Sequence, residues 1–332
     1  MRILAAPDKF KGSIDAAGVA AAIATGATGY GRVRQQPVAD GGEGTLQALG
    51  GANRVTLVSG PLGDAVEARW RLAKDVAVIE MAEAAGLTLV GGADENDALT
   101  AATTGVGELI CEAASAGARR IIVGVGGSAS TDGGLGAIRA MEPLARLRGV
   151  SIEVACDVRI TFCDAAKVFG PQKGASSAEI AFLTRRLGRL AEIYVEEFGV
   201  DVTELVSSGA AGGLAGGLAA VGATLLEGFE LIAEELGLAD AIEEADLVIT
   251  GEGCLDDQSF HGKAVGGVVE LAEEFGVPVL IVAGQVADVA DDLKDRGVTV
   301  VSISDVCGID AAFADPAGCI ATVVEDHLSQ LQ

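Results

Sequence analysis

The sequence predicts an α/β protein of two domains, one of them a doubly wound parallel sheet built from both chain ends and the other an inserted mixed α/β domain. Three observations carry this. The chain has 332 residues, enough for about two domains at roughly 100–200 residues each. Half of the residues are hydrophobic and 47 are glycine against only 7 proline, a composition of packed elements joined by glycine turns rather than of disorder. Finally, apolar runs of strand length alternate with helical patterns over the first 50 and the last 90 or so residues.

The elements follow in order. RILAA at residues 2–6 is an apolar run stopped by Pro7-Asp8, and Ser13 stands where it would cap an alanine-rich helix running to about Thr25. Residues 55–81 hold alternating apolar runs with turn signals at Gly60-Pro61, Gly63-Asp64 and Lys74-Asp75, the pattern of antiparallel strands. A helical pattern at 104–116 leads into RRIIVGVGG, a buried strand that opens into a glycine-rich loop before a helix from about Leu135. SIEVACDV reads as a strand, and 177–198 as a long helix. The last part alternates: a helix ending near Ala245, strand DLVITG, helix 263–275, strand VPVLIVAG, a helix near 288–295 and strand VTVVSIS, punctuated by Gly276, Pro278 and Gly297. The expected layout is residues 1–50 plus 240–332 as the doubly wound domain and 51–239 as the inserted one. No repeat of 20–50 residues is visible, which disfavours a solenoid.

Charge and cysteine usage exclude several function classes. Forty-eight acidic residues against 23 basic ones give a net charge of −25, so nucleic acid and anionic membranes are repelled. Only seven basic residues are lysine, and this acidic, lysine-poor balance suggests a halophilic, acidic proteome. The six cysteines form no CxxC pair, as in a reducing cytoplasm, and the N-terminus lacks a signal-peptide hydrophobic region; the expected location is cytoplasmic. Residues 205–226 carry no charge for 22 residues, but six glycines and the absence of basic flanks favour a soluble segment over a membrane span. Helical glycine faces leave room for a homodimer and name no partner.

The candidate sites are loops after strands, where α/β proteins place ligands. DKFKGS at residues 8–13 sets Lys9 and Lys11 ahead of a helix start, suited to phosphate or carboxylate, or simply a capped turn with solvated lysines. DGGEGT at 40–45 puts Asp40 and Glu43 around a glycine turn, for magnesium or a hydroxyl, or as ordinary helix-dipole acids. GVGGSASTDGG at 124–134 combines glycines that expose backbone N–H groups with Ser128, Ser130 and Thr131, and Asp132 as a proton acceptor or metal ligand; it is neither a Walker A loop nor GxGxxG. TGEGCLDDQSFHGK at 250–263 offers acids for Mg²⁺ and Lys263 opening a helix, with His261 read as exposed loop. Lys173 in a glycine-proline loop, and a second glycine cradle at 209–217, complete the set, each also readable as a tight turn. Lysines and carboxylates on separate glycine loops in an acidic protein suggest an anionic substrate, a nucleotide phosphate and Mg²⁺.

PDKFKGS, PVADGGEGT, TTGVGELI, GVGGSASTDGG, ACDV, VFGPQKGA and TGEGCLDDQSFHGK, in this order from residue 7 to residue 263, resemble the bacterial-type glycerate kinase family (glycerate 2-kinase, type I). The resemblance implies two α/β domains, one flavodoxin-like, with the site in the cleft between them. It implies phosphorylation of D-glycerate with ATP and Mg²⁺, commonly to 2-phosphoglycerate. Carried over by motif, Lys9, Lys11 and Ser13 would hold the glycerate carboxylate or a phosphate, and Gly127, Ser128 and Thr131 would cradle phosphate near Asp132. Glu252 and Asp256 would help bind Mg²⁺, with Lys263 neutralising charge, and Lys173 joins the phosphate-binding set with Asp40 and Glu43. The general base stays open among Asp8, Asp40, Asp132 and Asp157. Two departures stand out: the stretch 140–150 is shorter than in the family, and RITFCD at 159–164 replaces the family's asparagine-proline-leucine after ACDV. A kinase of a related small hydroxy acid and a non-catalytic sensor of a phosphorylated metabolite are the alternatives; the acids beside the lysines in TGEGCLDDQSFHGK favour the enzyme. Without GxGxxG after a strand, a dinucleotide oxidoreductase is disfavoured.

Overall fold

A computed structural model describes residues 1–260, 263–287, 293 and 296–331, without the side chains of 257 and 258. The expectations for His261 and for residues 288–292, 294 and 295 of the last predicted helix lie outside the described residues. Among the described residues, eleven strands, β1 (Arg2–Ala5), β2 (Arg32–Gln35), β3 (Arg54–Ser59), β4 (Ala65–Ala73), β5 (Val76–Glu80), β6 (Arg120–Gly124), β7 (Ser151–Cys156), β8 (Thr224–Glu227), β9 (Leu247–Leu255), β10 (Val279–Val286) and β11 (Val298–Ser302), form two sheets. The chain divides into two compact units, residues 1–40 with 229–332, and residues 41–228.

The first unit holds a five-stranded sheet ordered β11-β10-β9-β1-β2 with every pair parallel. Counted within the unit, that is the order 2-1-3-4-5, the flavodoxin-like arrangement, whose direction of winding reverses between the first strand and the third. Successive residues of β1 serve opposite faces. Ile3 packs with Ile249, Leu280, Val19 and Ile320, whereas Leu4 packs with Val248, Ile281, Val265 and Val269. A strand buried on both faces reads as one unbroken apolar run, which is why RILAA shows no alternation.

The helix after β1, Ala16–Gly26, starts later than its sequence signal. Phe10 and Ile14 exchange backbone hydrogen bonds (2.9 and 3.1 Å), closing a tight turn over 10–14, and Asp15 rather than Ser13 caps the helix by accepting from the Gly18 N–H at 2.7 Å. Ser13 is therefore an exposed turn residue.

The second unit carries the sheet β3-β4-β5-β6-β7-β8, antiparallel through β5 and parallel from β5 to β8. Its core sets Trp70, Ile79, Ile121 and Val154 against Val106, Leu109, Leu183 and Leu187. The Trp70 indole N–H reaches the Thr56 hydroxyl at 2.9 Å, which satisfies its one polar atom. Ser177–Phe198 is a helix opened by a capping box between Ser176 and Glu179.

The unit limits fall at 40/41 and 228/229 rather than at the expected 50/51 and 239/240. Residues 41–46 are tied to the second sheet, because the Val125 N–H donates to the Gly41 carbonyl (2.9 Å) and Glu80 accepts from the Gly44 and Leu46 N–H groups (3.0 and 2.6 Å). Phe229 and Ala233, in turn, pack into the core around Val248.

The uncharged stretch 205–226 folds as short pieces, including the helix Leu214–Ala220. Among the described residues no helix is long and apolar enough to cross a membrane. Its glycines are a packing surface rather than a ligand cradle. A Cβ at Gly212 would lie 2.1 Å from the Ser130 carbonyl oxygen, and one at Gly216 would lie 2.5 Å from the ring of Phe162. Phe162 belongs to the divergent segment 159–164. It is fully buried and meets Tyr194 edge-on at 6.0 Å, so this segment is anchored by an aromatic wedge.

Candidate active site

In the first unit the candidate groups gather at the carboxyl ends of β1 and β9, the crevice where a doubly wound sheet reverses its winding. The Asp8 N–H donates to the Gly251 carbonyl (2.9 Å) and the Thr250 hydroxyl to the Ala6 carbonyl (2.8 Å), so the loop after β1 is fixed against β9. A Cβ at Gly253 would sit 3.3 Å from the backbone nitrogen of Lys11, so glycine there lets the two segments run side by side.

Two acids of this unit are poorly solvated. Burial pushes the Asp8 carboxyl up to about 6; Lys9, whose Nζ lies 3.6 Å away, opposes the rise and Asp40 adds to it. Burial likewise pushes Glu252 up to about 7, against nearby Ser259 and Lys263 and with Asp8 and Asp256 adding to it. Glu252 Oε1 is buried and meets no hydrogen-bond donor among the described residues. Asp256 Oδ1 accepts from the Ser259 N–H (3.1 Å) and hydroxyl (3.3 Å).

The fold thus brings Asp8, Lys9, Asp40, Glu252, Asp256 and Lys263 into one electrostatic neighbourhood. Lys11 and Ser13 lie exposed on the neighbouring turn. Among the described residues no group of three or more His, Cys, Asp or Glu is placed to hold a metal ion. Mg²⁺ with phosphates needs only one or two carboxylates, and the orphaned Glu252 oxygen is an acceptor that a cation would satisfy.

In the second unit two glycine loops meet at the carboxyl end of β6. A Cβ at Gly126 would lie 2.7 Å from the Gly42 Cα, so the loops touch backbone to backbone. Glu43 is exposed on the first loop, and Asp157 stands half-buried just beyond β7.

The loop 127–134 is held from behind. Its carbonyls at Ala129, Ser130, Thr131 and Gly133 accept from Asn96 Nδ2 (3.1 Å), Lys173 Nζ (2.6 Å), Arg186 Nη2 (2.6 Å) and the Tyr194 hydroxyl (3.0 Å). Asp132 accepts four hydrogen bonds, from the N–H groups of Thr103 (2.9 Å), Gly134 (3.1 Å) and Gly136 (3.0 Å) and from the Thr103 hydroxyl (2.9 Å). Three of these bonds fall on Oδ2 and one on Oδ1, so Asp132, expected as a proton acceptor or metal ligand, pins two helix starts to the loop and keeps an acceptor direction on Oδ1. Ser130 Oγ and Thr131 Oγ1 are buried without a partner among the described residues.

Lys173, expected to contact phosphate, is instead buried with 2% exposure, its Nζ donating to Ser128 Oγ and the Ser130 carbonyl, both at 2.6 Å. Burial pulls its pKa down to about 7, against the attraction of Asp132. Its turn, Pro171–Lys173, ends at Gly174 with φ +84°, where a Cβ would strike the Ala93 carbonyl at 2.1 Å. Sequence reasoning missed Glu80, Asn96, Arg186 and Tyr194. Only Glu80 left a signal, as a lone acid ending the apolar run VAVI.

A flavodoxin-ordered sheet with buried acids at its reversal point, on a chain that also holds a glycine loop fixed by side-chain donors, defines an α/β enzyme. The comparisons agree. The glycerate kinase family matches residues 3–144 and 141–332. The chain is 38% identical to glycerate 2-kinase of Escherichia coli (strain K12), over 94% of this chain and 93% of that one. It is 39% identical to a glycerate kinase of Halalkalibacterium halodurans, over 89% and 88%. A crystal structure from Salmonella typhimurium LT2, provisionally named glycerate kinase 2, superposes with a TM-score of 0.82 at 33% identity, covering 100% of this chain and 98% of that one. The chain belongs to the glycerate kinase family.

Proposed function

We propose that the protein transfers the terminal phosphoryl group of ATP to the 2-hydroxyl of D-glycerate, with Asp8 as the general base. The observation that carries the assignment of Asp8 is its burial at the β1/β9 reversal point, with a pKa raised to about 6. A base works best when its pKa lies near the working pH, so that it is deprotonated yet still basic. Among the four candidate acids, Asp132 already accepts four hydrogen bonds from the protein, three of them on Oδ2, and we assign it to shaping the loop.

Lys9 and Lys11 supply positive charge for the glycerate carboxylate, with Ser13 a turn residue beside them. Gly127, Ser128 and Thr131 line the phosphate position of the second unit, with Glu43 and Asp157 at its margins, while Asp40 adds its charge beside Asp8 in the first unit. Glu252 and Asp256 would hold Mg²⁺ together with phosphate oxygens, and Lys263 offsets their charge. When bound, the ion draws negative charge from the phosphoryl oxygens and lowers the cost of transfer.

ADP release by the purified chain with Mg-ATP and D-glycerate, at low and at molar potassium chloride, tests this, with the product read by phosphorus NMR. The expected result is turnover giving phosphate on carbon 2. Folded, ATP-binding protein without turnover on D-glycerate would overturn the reading, and phosphate on carbon 3 would overturn its regiochemistry.

A further inference from the structure

We propose that Lys173 is a positioning residue that never touches the ligand: it turns the Ser128 hydroxyl into a donor aimed at an anionic oxygen. The inference rests on the reading above that loop 127–132 receives a phosphoryl or carboxylate group. A hydroxyl carries one proton and two lone pairs. With an N–H of Lys173 Nζ on one lone pair at 2.6 Å, the Ser128 proton goes elsewhere. Among the described residues the Ser128 hydroxyl donates to no protein acceptor, and its neighbour Gly127 is the exposed point of the loop. The proton is thus free for an incoming oxygen.

The same Nζ fixes a peptide. In a trans peptide the carbonyl and the following N–H point opposite ways. Because Asn96, Lys173 and Arg186 hold the carbonyls of Ala129, Ser130 and Thr131, the N–H groups of Ser130, Thr131 and Asp132 face away from those three side chains. The unpartnered Ser130 and Thr131 hydroxyls, both fully buried, belong to this segment. Asn96 Nδ2 also holds the Lys173 carbonyl at 2.9 Å, so the lysine backbone and the loop are clamped as one piece. A buried amine bonded only to a hydroxyl and a carbonyl is a costly way to fill a core, whereas it is an effective way to orient a donor.

The test is a double-mutant cycle of Lys173→Met and Ser128→Ala. Readouts are kcat and separate KM values for Mg-ATP and D-glycerate, with calorimetric binding of inorganic phosphate and melting temperature alongside. Each single variant should raise KM for one of the two anionic substrates by about 10-fold, the value of one charge-assisted hydrogen bond. The substrate affected identifies whether the loop takes a phosphate or the carboxylate. The double variant should lose no more than the larger single loss, because the lysine acts through the serine. Losses that multiply would overturn the proposal. Ser128→Ala alone also decides: if it leaves both KM values and phosphate affinity unchanged, the donor is not used and the proposal fails, even should Lys173→Met not fold. If the wild type binds phosphate but does not phosphorylate glycerate, the functional reading fails while the cycle, read by calorimetry, still tests the lysine.

Discussion

Glu252 in the first unit, half-buried in β9, and Asp132 in the second, buried on a loop, are both acids set among glycines, yet they meet opposite fates. Asp132 is met by four donors, whereas Glu252 keeps one oxygen with none among the described residues and has its pKa pushed up to about 7. Asp8 resembles Glu252, since burial outweighs the help it receives from Lys9. A buried carboxylate with a full set of donors is a structural element; one left short of them keeps capacity for a proton or a cation. The comparison teaches that residue type and loop context do not separate the two roles, whereas the count of donors does.

Asp8→Asn should break the comparison most strongly. Loss of a general base predicts a fall in kcat of roughly 10²–10⁴-fold, with the fold retained by circular dichroism. Asp132→Asn comes next and should act mainly on stability. Its amide nitrogen would face an N–H donor, and the lost charge-assisted bonds predict roughly 2–3 kcal/mol less resistance to urea, with melting and catalysis falling together.

The smallest effect concerns pH. Folding raises Asp8 from 3.8 to about 6 and Glu252 from 4.5 to about 7, so the folded state holds these protons more tightly than the unfolded chain. Their contribution to stability is full below about pH 4 and is lost as pH rises through 6 to 7. Glu252→Gln should therefore raise the unfolding free energy from urea titration above pH 7 by about 1 kcal/mol relative to wild type, and flatten the decline between pH 5 and 8. An unchanged pH profile would place Glu252 in a better solvated setting than its burial implies.

The fold was largely legible because its signals are local. RILAA, DLVITG and VPVLIVAG are apolar runs that only a doubly buried strand explains, and the helix 177–198 carries its own capping box. The start of the helix after β1 was misplaced because the Phe10–Ile14 turn arises from two backbone bonds that no residue pattern announces. Site loops could be found for the same reason that strand ends could, through glycine and polar residues following apolar runs. The roles inside them could not. Whether Asp132 or Asp8 is left reactive depends on Thr103, Gly136 and Lys9, and whether Lys173 reaches solvent depends on Ala93 and Asn96, 80 and 77 positions earlier in the chain. The pairings with Thr103, Ala93 and Asn96 are set by tertiary packing.

The most direct test of the central claim is the pH dependence of kcat/KM for D-glycerate in the wild type, Asp8→Asn and Asp132→Asn. The account predicts a wild-type rate that rises about tenfold per unit up to a pKa near 6 and then levels, with the rising limb kept in Asp132→Asn and abolished in Asp8→Asn. A limb that survives in Asp8→Asn and vanishes in Asp132→Asn would contradict it and return the proton to the second unit.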